Sequence, residues 1–200
     1  GPSVEKIAKV KDDYVFEIEV TSNRTDSASV FGLAREANAI LSNLGEKSNL
    51  VNPKGIDLVM EPDTANIFIL DVIIKDPKLC PRFTAIVLDN VKIKPSPAVI
   101  QNRLTPSGIR PINNIVDITN YIMLETGQPM HAFDFDKIKG AKMVLRASFE
   151  GEKIVTLDKT VRKLPKGSIV IEDAERLIDL CGIMGGANSQ ISKRTKRVVL

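Results

Sequence analysis

Residues Arg110–Lys139 read RPINNIVDITNYIMLETGQPMHAFDFDKIK. The stretch holds the only histidine of the chain, His131, and a dense cluster of neutral hydrogen-bonding side chains: Asn113, Asn114, Thr119, Asn120 and Gln128. Its first half predicts a helix opening at Arg110-Pro111, because proline at a first helical position gives up an N–H that would be unpaired there anyway. Ile115, Ile118, Ile122 and Met123 recur at helical spacing and make one apolar stripe. Gly127 suits a left-handed C-terminal cap, and Pro129 blocks continuation. Gln128–Phe135 then leaves as an extended segment carrying Met130, His131 and Phe133. A chain that turns back after Gly127 would bring His131 toward Asn120, but spacing alone leaves this open.

A lone histidine also fits a partly buried ring bonded to backbone. It has no metal-ligand companions, since the only cysteines, Cys80 and Cys181, are distant in sequence. The asparagines equally fit capping or exposed helix positions.

Working outward, Tyr14–Val20 predicts a strand with one wet face, and Thr21–Asp26 a polar turn. Ala28–Leu44 predicts a helix whose apolar face is Val30, Leu33, Ala34, Ala37, Ile40, Leu41 and Leu44, capped at Gly45. Glu46–Asn66 reads as a linker with one short strand at Ile56–Met60. Phe68–Ile74 and Phe83–Ile93 are strand-like. Ser96-Pro97 opens a short helix to about Leu104, with Ser96 as its cap. Met143–Arg146, Lys153–Leu157, Ser168–Ile171 and Leu177–Ile183 are short strands punctuated by glycine, and Val198–Leu200 begins another. The expected class is α+β: a mixed, largely antiparallel sheet with a few packed helices, plus a small N-terminal strand–helix unit. The expected division is residues 1–66 and 67–200.

Composition narrows the function. In 200 residues, 43% hydrophobic content suffices for a core, while 4% aromatic content and no Trp argue against a surface of stacking rings. The net charge of +3 permits nucleic-acid contact without requiring it. Two widely spaced cysteines fit a reducing cytoplasm, and no apolar run reaches membrane-spanning length. Glycines in Gly182-Ile-Met-Gly-Gly186 fit either a hairpin or the close approach of a ligand, and the run lacks the lysine and Ser/Thr of a phosphate loop. Lys193, Arg194, Lys196 and Arg197 form a basic run that fits a solvated face or a nucleic-acid contact. No Ser/His/Asp set, CxxC pair or spaced carboxylate pair stands out.

The run VDITNYIMLETGQPMHAFD, Val116–Asp134, closely resembles the editing-domain motif of the bacterial phenylalanine–tRNA ligase beta subunit. TSNRTDSASVFGLAREANAI (Thr21–Ile40), PRFTAIVLDNVKI (Pro81–Ile93) and CGIMGGANS (Cys181–Ser189) agree in order. The resemblance implies a piece of that subunit: the end of a B1-like domain with its linker (1–66), then a B3/B4-like editing region (67–200) truncated at its C-terminus. It implies a class II aminoacyl-tRNA synthetase as parent, with an editing activity that hydrolyses mischarged Tyr-tRNA(Phe). The alternative is a non-catalytic scaffold or tRNA-positioning module of the same ligase.

Tyrosine is phenylalanine plus one hydroxyl, and an apolar pocket rejects an added hydroxyl only weakly, by roughly 100-fold in sibling synthetases. Motif by motif, the resemblance assigns Thr119, Asn120 and His131 to the reaction and Gly182 and Gly185 to the pocket wall. Asn120 and His131 would orient the tyrosyl ester or the attacking water. Expected partners are the acceptor end of tRNA(Phe), tyrosine as editing-site ligand and the ligase alpha subunit in a heterotetramer. No cofactor is expected in these 200 residues; ATP and magnesium belong to the parent enzyme, and the expected location is cytoplasmic. The family's phenol-recognising glutamate would follow Val198-Val199-Leu200, so this chain alone is expected to edit poorly or not at all.

Overall fold

The computed structural model describes residues 2–51 and 68–200. The expected strand at Ile56–Met60 lies outside the described residues. Contacts divide the chain into two units, Gly1–Glu61 with Pro95–Met130, and Pro62–Lys94 with His131–Leu200.

In the first unit, β1 (Ser3–Val10) and β2 (Asp13–Glu19) form an antiparallel hairpin in which Val10 faces Asp13. Lys11 turns it at a left-handed φ of 56°. Helix α1 (Val30–Asn43) starts where Ser29 accepts a hydrogen bond from the Gly32 amide. Gly32 packs on the preceding turn so tightly that a β-carbon would lie 2.2 Å from the Asp26 carbonyl oxygen. Arg24 ties that turn to the helix, reaching Asp26 at 3.0 Å and Glu36 at 2.5 Å.

Helices α2 (Ala98–Leu104) and α3 (Asn114–Thr126) complete this unit. Helix α3 begins three residues beyond Pro111. Asn113 is its cap, and the side-chain oxygen of Asn113 accepts from the Ile115 and Val116 amides. A side chain that satisfies two orphan amides outweighs the mild preference of proline for a first turn. Gly127 closes α3 at φ 78°, as its spacing predicts. Ser96 does not cap α2, whose N-cap is Pro97. Its hydroxyl instead donates to Asp117, a fully buried residue of α3 that also accepts from the Ile112 amide at 2.7 Å. The carboxylate therefore fixes both segments leading into the helices.

The second unit is built on a five-stranded sheet of order β11-β10-β9-β6-β3. Its strands are β3 (Asp71–Ile74), β6 (Lys142–Ala147), β9 (Ile169–Glu172), β10 (Leu177–Leu180) and β11 (Met184–Gly185). Only β3 and β6 run parallel; the other pairs are antiparallel. A three-stranded ladder joins β4 (Val87–Leu88), β12 (Val198–Val199) and β5 (Phe133–Asp134), and β7 (Lys153–Val155) pairs with β8 (Val161–Lys163). The fold class is α+β with mostly antiparallel strands, as expected.

The strand expected across Phe83–Ile93 shortens to β4, which pairs with β12, and Ile86 beside it exchanges two backbone hydrogen bonds with Leu200. The core gathers Phe133, Ile138, Met143, Leu145, Ile171, Ile178 and Val199, and a second cluster gathers Ile154, Leu164, Val170, Leu177 and Leu180. Arg146 links Glu152 at 2.7 Å and Glu172 at 2.5 Å, holding the turn after β6 against β9.

Candidate functional site

Strands β10 and β11 are joined by a tight turn, with the Ile183 amide bonded to the Leu180 carbonyl at 3.0 Å. Their register sets Asp179 opposite Gly185. Opposed residues of an antiparallel pair project to the same face, so the missing side chain at Gly185 leaves a gap beside the Asp179 carboxylate. The His131 ring fills it. A β-carbon on Gly185 would stand 2.4 Å from both Cε1 and Nε2 of that ring.

His131 arrives there from the segment that enters β5, and the core residue Phe133 meets it edge-on with ring centroids 4.5 Å apart. Its side chain is 32% exposed, yet Nε2 is buried with no hydrogen-bond partner, and Asp179 Oδ1 lies 4.0 Å away. Burial lowers the His131 pKa to about 4, so the imidazole is neutral at pH 7. Burial raises that of Asp179 to about 6, against a smaller opposing effect of a hydrogen bond with Cys181. The two groups face each other as a neutral ring and a carboxylate poorly served by solvent, not as an ion pair.

Cys181, two residues beyond Asp179, has its thiol pushed up to about 12 by burial and then by the Asp179 charge. A thiol held that high is no nucleophile at neutral pH.

The remaining glycines have different reasons. Gly186 closes against β10, where a β-carbon would meet the Ile178 carbonyl oxygen at 2.5 Å. Gly182 adopts φ 71° with open space around it. Of the residues expected in the site, His131 and Gly185 are brought into direct contact, and Gly182 lies in the turn that joins the strands of Asp179 and Gly185. Thr119 and Asn120 sit on α3 in the other unit. The Thr119 hydroxyl donates to the Val116 carbonyl at 2.7 Å within its own helix.

Asp179 is the site residue that the sequence reading missed. Its signal is a single carboxylate inside LIDL, a strand whose four residues are all buried. No group of three or more His, Cys, Asp or Glu suited to a metal ion occurs among the described residues. No helix among them is long and apolar enough to cross a membrane.

The family model described as "B3/4 domain" matches residues 79–200. The chain belongs to the B3/4 domain family. The B3/4 match covers β4 through β12 and so contains His131, Asp179 and Gly185.

Curated relatives extend the likeness over the whole chain. The phenylalanine–tRNA ligase beta subunit of Carboxydothermus hydrogenoformans is 43% identical over 200 residues, covering 100% of this chain and 24% of that protein. The beta subunit of Clostridium acetobutylicum is 43% identical over 190 residues, covering 94% of this chain and 23% of that protein. The B3/4 chain thus spans about a quarter of the length of these relatives.

Among solved structures, an N-terminal fragment of the phenylalanyl-tRNA synthetase beta-subunit from Pyrococcus horikoshii has a TM-score of 0.50 at 17% identity. It covers 99% of this chain and 58% of that one. At that identity the likeness concerns the fold.

Proposed function

We propose that this chain is the editing module of a phenylalanine–tRNA ligase and that His131 helps hydrolyse a tyrosyl ester on tRNA(Phe). The observation that carries the reading is the neutral, partly exposed imidazole whose Nε2 is sealed between Gly185 and Asp179. With that nitrogen turned inward, Nδ1 is the nitrogen left to hold a water. A ring with a pKa near 4 is too weak a base to carry a full proton at pH 7, and it acts by orientation.

The water oxygen attacks the ester carbonyl, and the bond to the ribose oxygen breaks. The water's proton passes to that leaving oxygen, releasing tyrosine and uncharged tRNA. The Asp179 carboxylate lies behind the ring, 4.0 Å from Nε2.

Gly185 keeps the ring seated, and the open space at Gly182 leaves room beside the turn. For Thr119 and Asn120, it is the family resemblance that supports a part in the same reaction. ATP and magnesium would serve the activation chemistry of the whole ligase, with the alpha subunit as partner.

The test uses the intact ligase carrying this region. His131→Ala should slow Tyr-tRNA(Phe) deacylation by about 100-fold while Phe-tRNA synthesis continues at its normal rate. Unchanged deacylation would overturn the proposal and leave the region as a scaffold.

A further inference from the structure

The segment Lys193–Arg197 carries four cations in five residues, and they are not equivalent. Arg197 is engaged: its guanidinium lies 5.0 Å from the Phe68 ring centroid and 5.4 Å from that of Phe135, and it pairs with Asp136. Lys193, Arg194 and Lys196 are exposed, and among the described residues no carboxylate pairs with any of them.

The loop that displays these three is firmly held. Buried Thr195 donates its hydroxyl to Asp134 at 2.6 Å and accepts from the Ser192 amide at 2.9 Å. The Thr195 amide returns a bond to the Ser192 carbonyl at 3.0 Å, and the Lys196 carbonyl accepts from Val91 at 2.9 Å. Three unneutralised charges on a fixed turn repel one another, a cost that an anionic partner removes.

Position adds direction. Asp134, which clasps Thr195, lies three residues after His131, and three extended residues span about 10 Å. The segment that carries the imidazole runs directly into β5, the strand on which the basic loop is fastened. The only residue between the cations, Thr195, is buried, so the loop offers no apolar or aromatic anchor of the kind that protein partners use. Charge without an anchor fits a phosphate backbone.

We propose that Lys193, Arg194 and Lys196 form a phosphate-contact surface for the single-stranded end of an RNA whose terminal ester is presented to His131. The inference deepens the editing reading and rests on it for the ester. The phosphate contact itself can be tested without hydrolysis.

The test compares the intact ligase with its Lys193→Gln/Arg194→Gln/Lys196→Gln variant. The probe is a minihelix RNA with a single-stranded 3′ end, its affinity measured by anisotropy across a salt series. The variant should bind about tenfold more weakly at low salt. Its slope of log affinity against log salt should be shallower by about 2, the value for three single-strand phosphates. In Tyr-tRNA(Phe) deacylation KM should rise while kcat stays near its original value, and Lys193→Arg/Lys196→Arg should retain binding.

Equal affinities and slopes would overturn the proposal, as would a loss confined to association with the alpha subunit, which would assign the loop to a protein partner. A changed salt slope together with no deacylation by the unsubstituted ligase would leave the phosphate surface standing and sink the editing reading instead.

Discussion

His131 occupies the space that a side chain on Gly185 would need, beside Asp179, the cross-strand partner of that glycine. A hairpin and a segment some fifty residues before it therefore share one small volume, and each constrains what the other can be.

Gly185→Ala cannot be accommodated without moving the imidazole or the β10–β11 turn. Overpacking of this kind costs about 1–3 kcal/mol. Gly182→Ala meets no neighbour and bears only the cost of a left-handed backbone, about 1–2 kcal/mol. Denaturant unfolding of the two variants should show comparable stability losses, whereas Tyr-tRNA(Phe) deacylation by the ligase should fall about tenfold or more only for Gly185→Ala. Equal activity in the two would show that the ring position is not critical.

The His131–Asp179 pair predicts opposing pH dependences. The His131 pKa is lowered from 6.5 to about 4, so between those values the unfolded chain binds a proton that the folded chain refuses. Its stability contribution is present above pH 6.5 and is lost as pH falls toward 4. The Asp179 pKa is raised from 3.8 to about 6, so between those values the folded chain holds a proton that the unfolded chain releases. That contribution is present below pH 3.8 and is lost as pH rises through 6. The two nearly cancel between pH 4 and 6. Asp179→Asn removes the Asp179 contribution, so the variant should lose about 2–3 kcal/mol more than the original chain between pH 7 and pH 4. Urea unfolding at both pH values measures the difference; parallel curves would contradict it.

Asp117 is the buried acceptor for the Ser96 hydroxyl and the Ile112 amide. Asp117→Ala strands both donors and should destabilise by about 2–4 kcal/mol. Ser96→Ala removes one donor to a carboxylate that keeps the other, and should cost about 1–2 kcal/mol. The double variant should cost less than the sum, which a double-mutant cycle of unfolding energies would reveal.

Asn113 and Pro111 separate two accounts of where α3 begins. Asn113→Ala loses the acceptor for two amides and should cost about 1 kcal/mol. Pro111→Ala changes a residue outside the helix and should shift the unfolding midpoint far less. The reverse ranking would place the helix start at the proline.

Much of this arrangement is legible locally. The apolar spacing of α1, the glycine after α3 and the short glycine-punctuated strands β6, β7, β9 and β10 follow from periodicity and backbone preference, which act over neighbouring residues. The special standing of His131 came from family resemblance joined to its being the only histidine.

Other features were decided by distant partners. Ser96 sits where a cap would sit, but a buried carboxylate from α3 takes its hydroxyl. Phe83–Ile93 has strand composition throughout, yet its backbone bonds to the last strand run only from Ile86, which exchanges two with Leu200, to Val91, which donates to Lys196. Gly185 fits either a hairpin or the approach of a ligand by sequence, and only the fold sets His131 against it; Asp179, one carboxylate inside an apolar strand, gains its place only when the two meet. Sequence alone determined the class of the fold and the approximate place of its helices and turns, because those depend on local spacing; the first residues of α2 and α3 depended on which side chain took each cap. Tertiary structure alone decided the protonation of His131 and Asp179, because burial by residues remote in the chain sets the cost of charge.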